Sequence, residues 1–199
     1  MANMSLEWKE YMESVIRESL HVKELVLSDE GLLGDIGKTA ELMIAAYGSG
    51  KKVLIAGNGG SAADAQHIAG ELVNKFNFDR PALPCISLST DTSVMTAVSN
   101  DDNFENVFSR QIQALGQPGD LFIGISTSGN SANIIKALEE CRVRKLVSIG
   151  MTGETGGRMK ELCDVLIRVP SNKTPRIQEI HILSAHIICG LVEKELFGA

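Results

Sequence analysis

The chain has 199 residues, 44% of them hydrophobic and 22% charged, which is the make-up of a soluble globular protein of ordinary domain size. Nineteen Lys and Arg stand against 25 Asp and Glu, a formal net charge of −6 with no basic cluster, and this excludes broad nucleic-acid binding. No apolar run approaches the roughly 18 residues of a membrane span, the N-terminus lacks the apolar core of a signal peptide, and Cys85, Cys141, Cys163 and Cys189 are scattered with no C-x-x-C, so a cytoplasmic protein with reduced thiols and no membrane partner is expected.

In chain order, Trp8, Tyr11, Val15, Leu20, Val22, Leu25 and Val26 fall among charges from about 6 to 27 and predict an amphipathic helix. A second helix is expected over 32–47, stopped by Gly48-Ser49-Gly50. Alternation then begins, with strand 52–56, helix 61–76, strand 84–89, helical material over 92–114 and strand 120–126. It continues through helix 130–141, strand 145–150, a short helix 156–162, strand 164–169 and a helix over 175–197 that opens after Pro175. Five short apolar strands separated by helices predict an α/β fold with a parallel sheet covered on both faces. Right-handed crossovers make it doubly wound, of flavodoxin-like order 2-1-3-4-5.

That order places strands 1 and 3 side by side at the topological switch point, where ligands bind beyond the carboxyl ends of strands. The turns after these two strands are the unusual ones: Gly57-Asn58-Gly59-Gly60-Ser61 and Ser126-Thr127-Ser128-Gly129-Asn130-Ser131. Each opens a helix, so each aims free N–H groups and a positive helix end at one crevice. Four hydroxyls in six positions exceed what a helix cap needs, and they predict a phosphorylated small molecule as the ligand. Gly57-x-Gly59-x-x-Ala62 also fits a loose dinucleotide fingerprint, but strand 2 ends Ile86-Ser87-Leu88-Ser89 with no acid for a ribose, which argues against that use.

His67 and Glu71, spaced i, i+4, share a helix face, where they can hold a divalent metal, act as acid and base, or form a plain surface hydrogen bond. The last helix carries Gln178, Glu179, His181 and His186 in an apolar segment. Gln178 and His186 are about 12 Å apart along the axis and roughly 80° around it. Either long side chains converge on one atom, or the site lies between subunits.

These blocks, with Ser99-Asn100-Asp101 and Arg176-Ile177-Gln178-Glu179-Ile180-His181, make the chain resemble the sugar isomerase (SIS) fold family over nearly its whole length, and within it the phosphoheptose isomerases. The resemblance implies one SIS domain over 1–199, with N-terminal helices over 1–50 and the α/β core and C-terminal helix over 51–199. It implies substrate binding by Asn58, Gly59, Gly60, Ser61, Glu71, Asn100, Asp101, Ser126, Thr127, Ser128, Ser131 and Gln178. It further implies one zinc ion per subunit on His67, Glu71, Gln178 and His186, with Glu71 and His186 also the catalytic acid/base pair. The reaction implied is conversion of sedoheptulose 7-phosphate to D-glycero-D-manno-heptose 7-phosphate through an enediol(ate), in bacterial heptose biosynthesis and through it lipopolysaccharide. The family also implies a homotetramer, which the apolar first helix suits, with the site possible at a subunit interface. Proteins of the same fold also serve as non-catalytic phosphosugar-binding regulators or as tetrameric scaffolds that join the replication initiator DnaA; these have no need of the His67, Glu71, Gln178, His186 set. Two departures stand out: Lys75 where an arginine is expected, keeping the charge but not the planar fork, and Pro175 at a place that can be acidic.

Overall fold

The computed structural model describes residues 5–198; residues 1–4 and 199, which the single-domain reading also takes in, lie outside it. Ser5 caps the first helix, α1 (Leu6–Ser28), by accepting from the Trp8 amide at 3.2 Å. Asp29 ends α1 and caps α2 (Glu30–Gly48), its carboxylate taking the Leu32 amide at 3.0 Å. The alternating part follows as β1 (Val53–Gly57), α3 (Gly60–Val73), β2 (Cys85–Ser87), α4 (Thr92–Asp101), α5 (Val107–Leu115) and β3 (Leu121–Ile125). It closes with α6 (Ala132–Arg144), β4 (Val147–Thr152), β5 (Val165–Arg168) and α7 (Thr174–Phe197).

The strands form one parallel sheet in the order β2-β1-β3-β4-β5, as the periodicity predicts. Every residue of β1 and β3 is buried, because helices cover both faces. Met43 of α2, Ile68 and Leu72 of α3 and Ile180 and Ile188 of α7 pack on one face. Phe108 and Ile112 of α5 with Ile134 and Leu138 of α6 pack on the other. Phe108 and Phe122 are fully excluded from water, each worth about 1.5–3 kcal/mol by its apolar area alone. Gly57 pairs with Ile125, so β1 and β3 end at the same level and their turns leave the sheet side by side.

Several elements differ from the periodicity: β4 runs over 147–152 rather than 145–150, and the short helix expected over 156–162 is a 3₁₀ turn, Gly157–Glu161. The helical stretch over 92–114 breaks at Asp102 and Asn103, where the Asn103 side chain accepts from the Glu105 amide and starts a separate 3₁₀ turn. β2 shrinks to three residues at the sheet edge, with Ile86 facing outward. Helix α3 stops at Val73 rather than 76, and the freed residues wrap onto α7.

α1 lies against α2 and α7. The Arg176 guanidinium donates to the Val15 carbonyl at 2.8 Å, and Ser19 donates to Glu179 at 2.7 Å. Only Val22 and Val26 of α1 are fully buried, whereas Leu6, Trp8, Tyr11, Ile16 and Leu20 face outward. Cys85, Cys141 and Cys189 are buried free thiols and Cys163 is half-buried. Among the described residues no helix is long and apolar enough to cross a membrane.

His181 ties α7 to the sheet. Its ring is wholly buried and its Nε2–H donates to the Thr152 carbonyl at 3.2 Å, while Nδ1 has no partner. Burial pushes its pKa down to about 4, the Thr152 carbonyl opposing the shift. Below the unfolded value of 6.5 the unfolded chain takes up a proton that the folded chain refuses until about pH 4. Stability should therefore fall by about 3 kcal/mol as pH drops through that window, on top of any carboxylate effects. His181→Gln should flatten this part of the profile in urea unfolding between pH 7 and 4; an unchanged slope would mean that His181 is already protonated in the fold.

Candidate active site

The turn after β1 is shaped by close approach. A Cβ on Gly57 would fall 2.4 Å from the Ser61 carbonyl, so only glycine lets the chain fold back into α3. No side chain caps α3. The turn after β3 is built the same way: Gly129 has φ +67°, and a Cβ there would lie 2.3 Å from the Gly156 carbonyl. Ser126 Oγ is buried and lies 2.9 Å from Ser131 Oγ and 3.4 Å from Ser128 Oγ. Ser131 occupies the N-cap of α6, yet its hydroxyl pairs with that of Ser126 instead of capping, leaving the first amides of α6 open to an anion. Thr127 and Ser128 face an open hollow of about 290 Å³ shared with Glu154, Ser171 and Thr174.

The two turns are joined directly. Asn58 Nδ2 donates to Asn133 Oδ1 at 2.9 Å, and Asn133 Nδ2 donates back to Asn58 Oδ1 at 2.8 Å. Gln178 also belongs to this end of the crevice, since its amide packs directly on Gly60, where an added Cβ would fall 2.3 Å from Nε2 and push the Gln178 side chain aside. Asn100 and Asp101 do not join it. They are exposed at the end of α4 and bonded to each other at 2.8 Å, and Asp101 faces a different hollow with Asn106 and Arg110.

His67, Glu71 and His186 come together on the face where α3 and α7 meet, all from one chain. His67 Nε2 lies 3.0 Å from Glu71 Oε1 and 3.2 Å from His186 Nε2. One ligand atom from each residue falls within 4.8 Å of the others. A single imidazole Nε2 carries at most one proton, so it serves only one of these two contacts as a linear hydrogen bond. Three electron-rich atoms aimed at one spot, with too few protons between them, fit a cation: two imidazoles and a carboxylate are a usual zinc donor set, leaving a position open. Along α3, Gly60 and His67 are seven residues, or about 10 Å, apart, so Gln178 begins at a different level from this trio.

Other side chains hold the trio in place. The Phe76 ring stacks obliquely on His186 with centroids 5.4 Å apart. Phe76 is fixed in turn by Glu193 of α7, which takes the amides of Phe76 at 2.8 Å and Asn77 at 2.6 Å and the Arg80 Nε–H at 3.1 Å. Arg80 gives further donors to the carbonyls of Glu71 at 2.8 Å, Leu72 at 2.7 Å and Pro81 at 3.0 Å. Both charged side chains are almost completely buried, 2% and 1% exposed. Burial alone would raise the Glu193 carboxyl, but the two amides and Arg80 together hold it below its ordinary value. Lys75 points away into an ion pair with exposed Asp79, and Pro175 sits in the first turn of α7.

A SIS domain model matches residues 20–153. The phosphoheptose isomerase of Aneurinibacillus thermoaerophilus is 58% identical over 188 residues, covering 94% of this chain and 95% of that one. Phosphoheptose isomerase 2 of Campylobacter jejuni is also 58% identical, with 94% of each chain covered. The chain belongs to the phosphoheptose isomerases of the SIS family. Among solved structures, the phosphoheptose isomerase of Neisseria gonorrhoeae matches at TM-score 0.88 with 40% identity, over 94% of this chain and 99% of that one. That of Francisella tularensis matches at 0.90 with 34% identity, over 96% and 100%. The phosphoheptose isomerase resemblance carried by short motifs thus extends to the whole fold, N-terminal helices included.

Proposed function

We propose that the chain is an aldose–ketose isomerase that converts sedoheptulose 7-phosphate to D-glycero-D-manno-heptose 7-phosphate in the cytoplasm, acting as a single SIS domain. The observation that carries this reading is the convergence of His67, Glu71 and His186 on one spot, two helical turns along α3 from a turn that Asn58 and Asn133 join to the hydroxyl-rich N-terminus of α6. A phosphosugar regulator or a DnaA-binding scaffold has no use for such a group.

The hydroxyls of Ser126, Thr127, Ser128 and Ser131 and the amides of α6 hold the phosphate, with Asn58, Gly59, Gly60 and Ser61 closing the crevice and Gln178 meeting the sugar. Remote binding of this kind orients the reacting carbons. Glu71 and His186 divide the proton work: one removes the proton beside the carbonyl, exchanges it with solvent and delivers a proton to the neighbouring carbon, and the other serves the oxygens. His67, Glu71 and His186, joined by Gln178 when the site is filled, would hold zinc, one ion per subunit. When bound, zinc supplies Lewis-acid polarisation of a sugar oxygen.

Two features support a homotetramer whose site is completed between subunits. α1 leaves Leu6, Trp8, Tyr11, Ile16 and Leu20 outward, and α7 leaves Leu183, Ile187 and Leu191 outward on the helix that carries His186. Asn100 and Asp101 stand apart from the crevice of their own chain, so they reach substrate only across such an interface.

The test is an NMR assay in D₂O on metal-stripped protein, repeated after one equivalent of zinc, with sedoheptulose 7-phosphate. Zinc-dependent heptose 7-phosphate carrying deuterium at C2 is expected. Phosphosugar binding without turnover in either state would sink the isomerase and leave a regulator.

A further inference from the structure

We propose that Asn133 is a positioning residue: paired with Asn58, it locks the turn after β1 to the first turn of α6 and so sets the width of the phosphate crevice. The inference rests on the phosphosugar reading above but concerns a residue outside that site's proposed ligand set.

The two amides, 75 residues apart in sequence, exchange both of their hydrogen bonds, at 2.9 and 2.8 Å. Asn133 is 3% exposed, so its amide has no recourse to bulk water. A primary amide offers a donor and an acceptor side by side, and the reciprocal arrangement satisfies both partners only in this orientation. No aliphatic, hydroxyl or charged carboxylate side chain of similar size repeats it.

The location gives the pair its leverage. β1 and β3 are registered through Gly57 and Ile125, and beyond those residues no sheet hydrogen bond holds their turns together. The amide pair is the next bridge. On one side it fixes Asn58, whose carbonyl also takes the Ser61 amide that starts α3. On the other it fixes the second helical residue of α6, two positions after Ser131 and its bond to Ser126. A shift of α6 relative to α3 would move the two open helix N-termini apart and spoil their shared aim at one anion. The pairing also turns the Asn58 side chain toward α6, so that Asn58 meets substrate chiefly through its backbone.

The test compares wild type, Asn133→Ala and Asn133→Asp at pH 7.5 and 5.5, reading KM and kcat with sedoheptulose 7-phosphate. Asn133→Ala should raise KM about tenfold at both pH values, the loss of two hydrogen bonds, with kcat within about twofold. Asn133→Asp should lose as much at pH 7.5, where a carboxylate only accepts. At pH 5.5 it should return to within about threefold of wild type, because a buried, protonated carboxyl again donates and accepts side by side. A merely structural role would not give a KM that recovers with acid in one variant and not the other. An unchanged KM in Asn133→Ala, or an aspartate variant no better than alanine at pH 5.5, would overturn the proposal. Should wild type show no turnover, the isomerase reading fails on its own, and calorimetric Kd values for the same phosphosugar decide this inference by the same pattern.

Discussion

Glu71→Gln and His186→Gln should each lower kcat by about 10²–10⁴-fold, the usual worth of a positioned acid or base. The glutamine at 71 keeps the shape of the carboxylate and its contact with His67 but cannot take up a proton. The half-buried setting of both residues predicts little structural cost, within about 0.5 kcal/mol in urea unfolding. Because the same atoms are proposed to hold zinc, metal content should be measured on each variant. The double variant should be scarcely worse than the weaker single one, as for groups that act as a unit. Retention of more than a tenth of wild-type kcat in both single variants would remove Glu71 and His186 from the proton chemistry.

Glu193→Ala is the substitution expected to cost the fold most. It strands the Arg80 guanidinium, 2% exposed, without its counter-charge and orphans the amides of Phe76 and Asn77. Breaking a buried pair from one side costs about 3–5 kcal/mol, a large part of the 5–15 kcal/mol that usually holds a protein folded. Chemical denaturation should show this directly, and the double variant Arg80→Leu/Glu193→Leu should recover only part of the loss: no buried charge is left unpaired, but the amides of Phe76 and Asn77 stay orphaned. Activity should suffer as well, since Phe76 would lose its seat against His186. A loss under about 1 kcal/mol in Glu193→Ala would mean that water reaches Arg80 readily.

The sheet order and the crevice were legible because they follow from local patterns. Strand runs such as 52–56 and 120–126 carry their own turns, and chirality leaves one plausible winding. What periodicity does not contain is pairing at a distance. Glu193 and Arg80 are 113 residues apart, and each alone reads as a solvated charge on a helix or loop. The early end of α3 is a consequence of that pair, which draws the amides after Val73 onto α7. His67 and Glu71 are readable as neighbours from i, i+4 spacing alone, whereas His186, 119 residues from His67, required the family resemblance. Asn133 stands two residues past the second Ser/Gly turn, and nothing in the sequence says that its amide reaches Asn58.

α7 follows all five strands in the chain and supplies Gln178, His181, His186 and Glu193. During synthesis the sheet and both Gly/Ser turns leave the ribosome before it, and a domain generally folds as a unit. Because α7 contributes Ile180, Ile188 and Val192 to the core on one face of the sheet, a chain that stops short of it leaves that face uncovered and the crevice without its support. The order of the elements makes competence for chemistry a late event, withheld until the helix that also seals the core has docked.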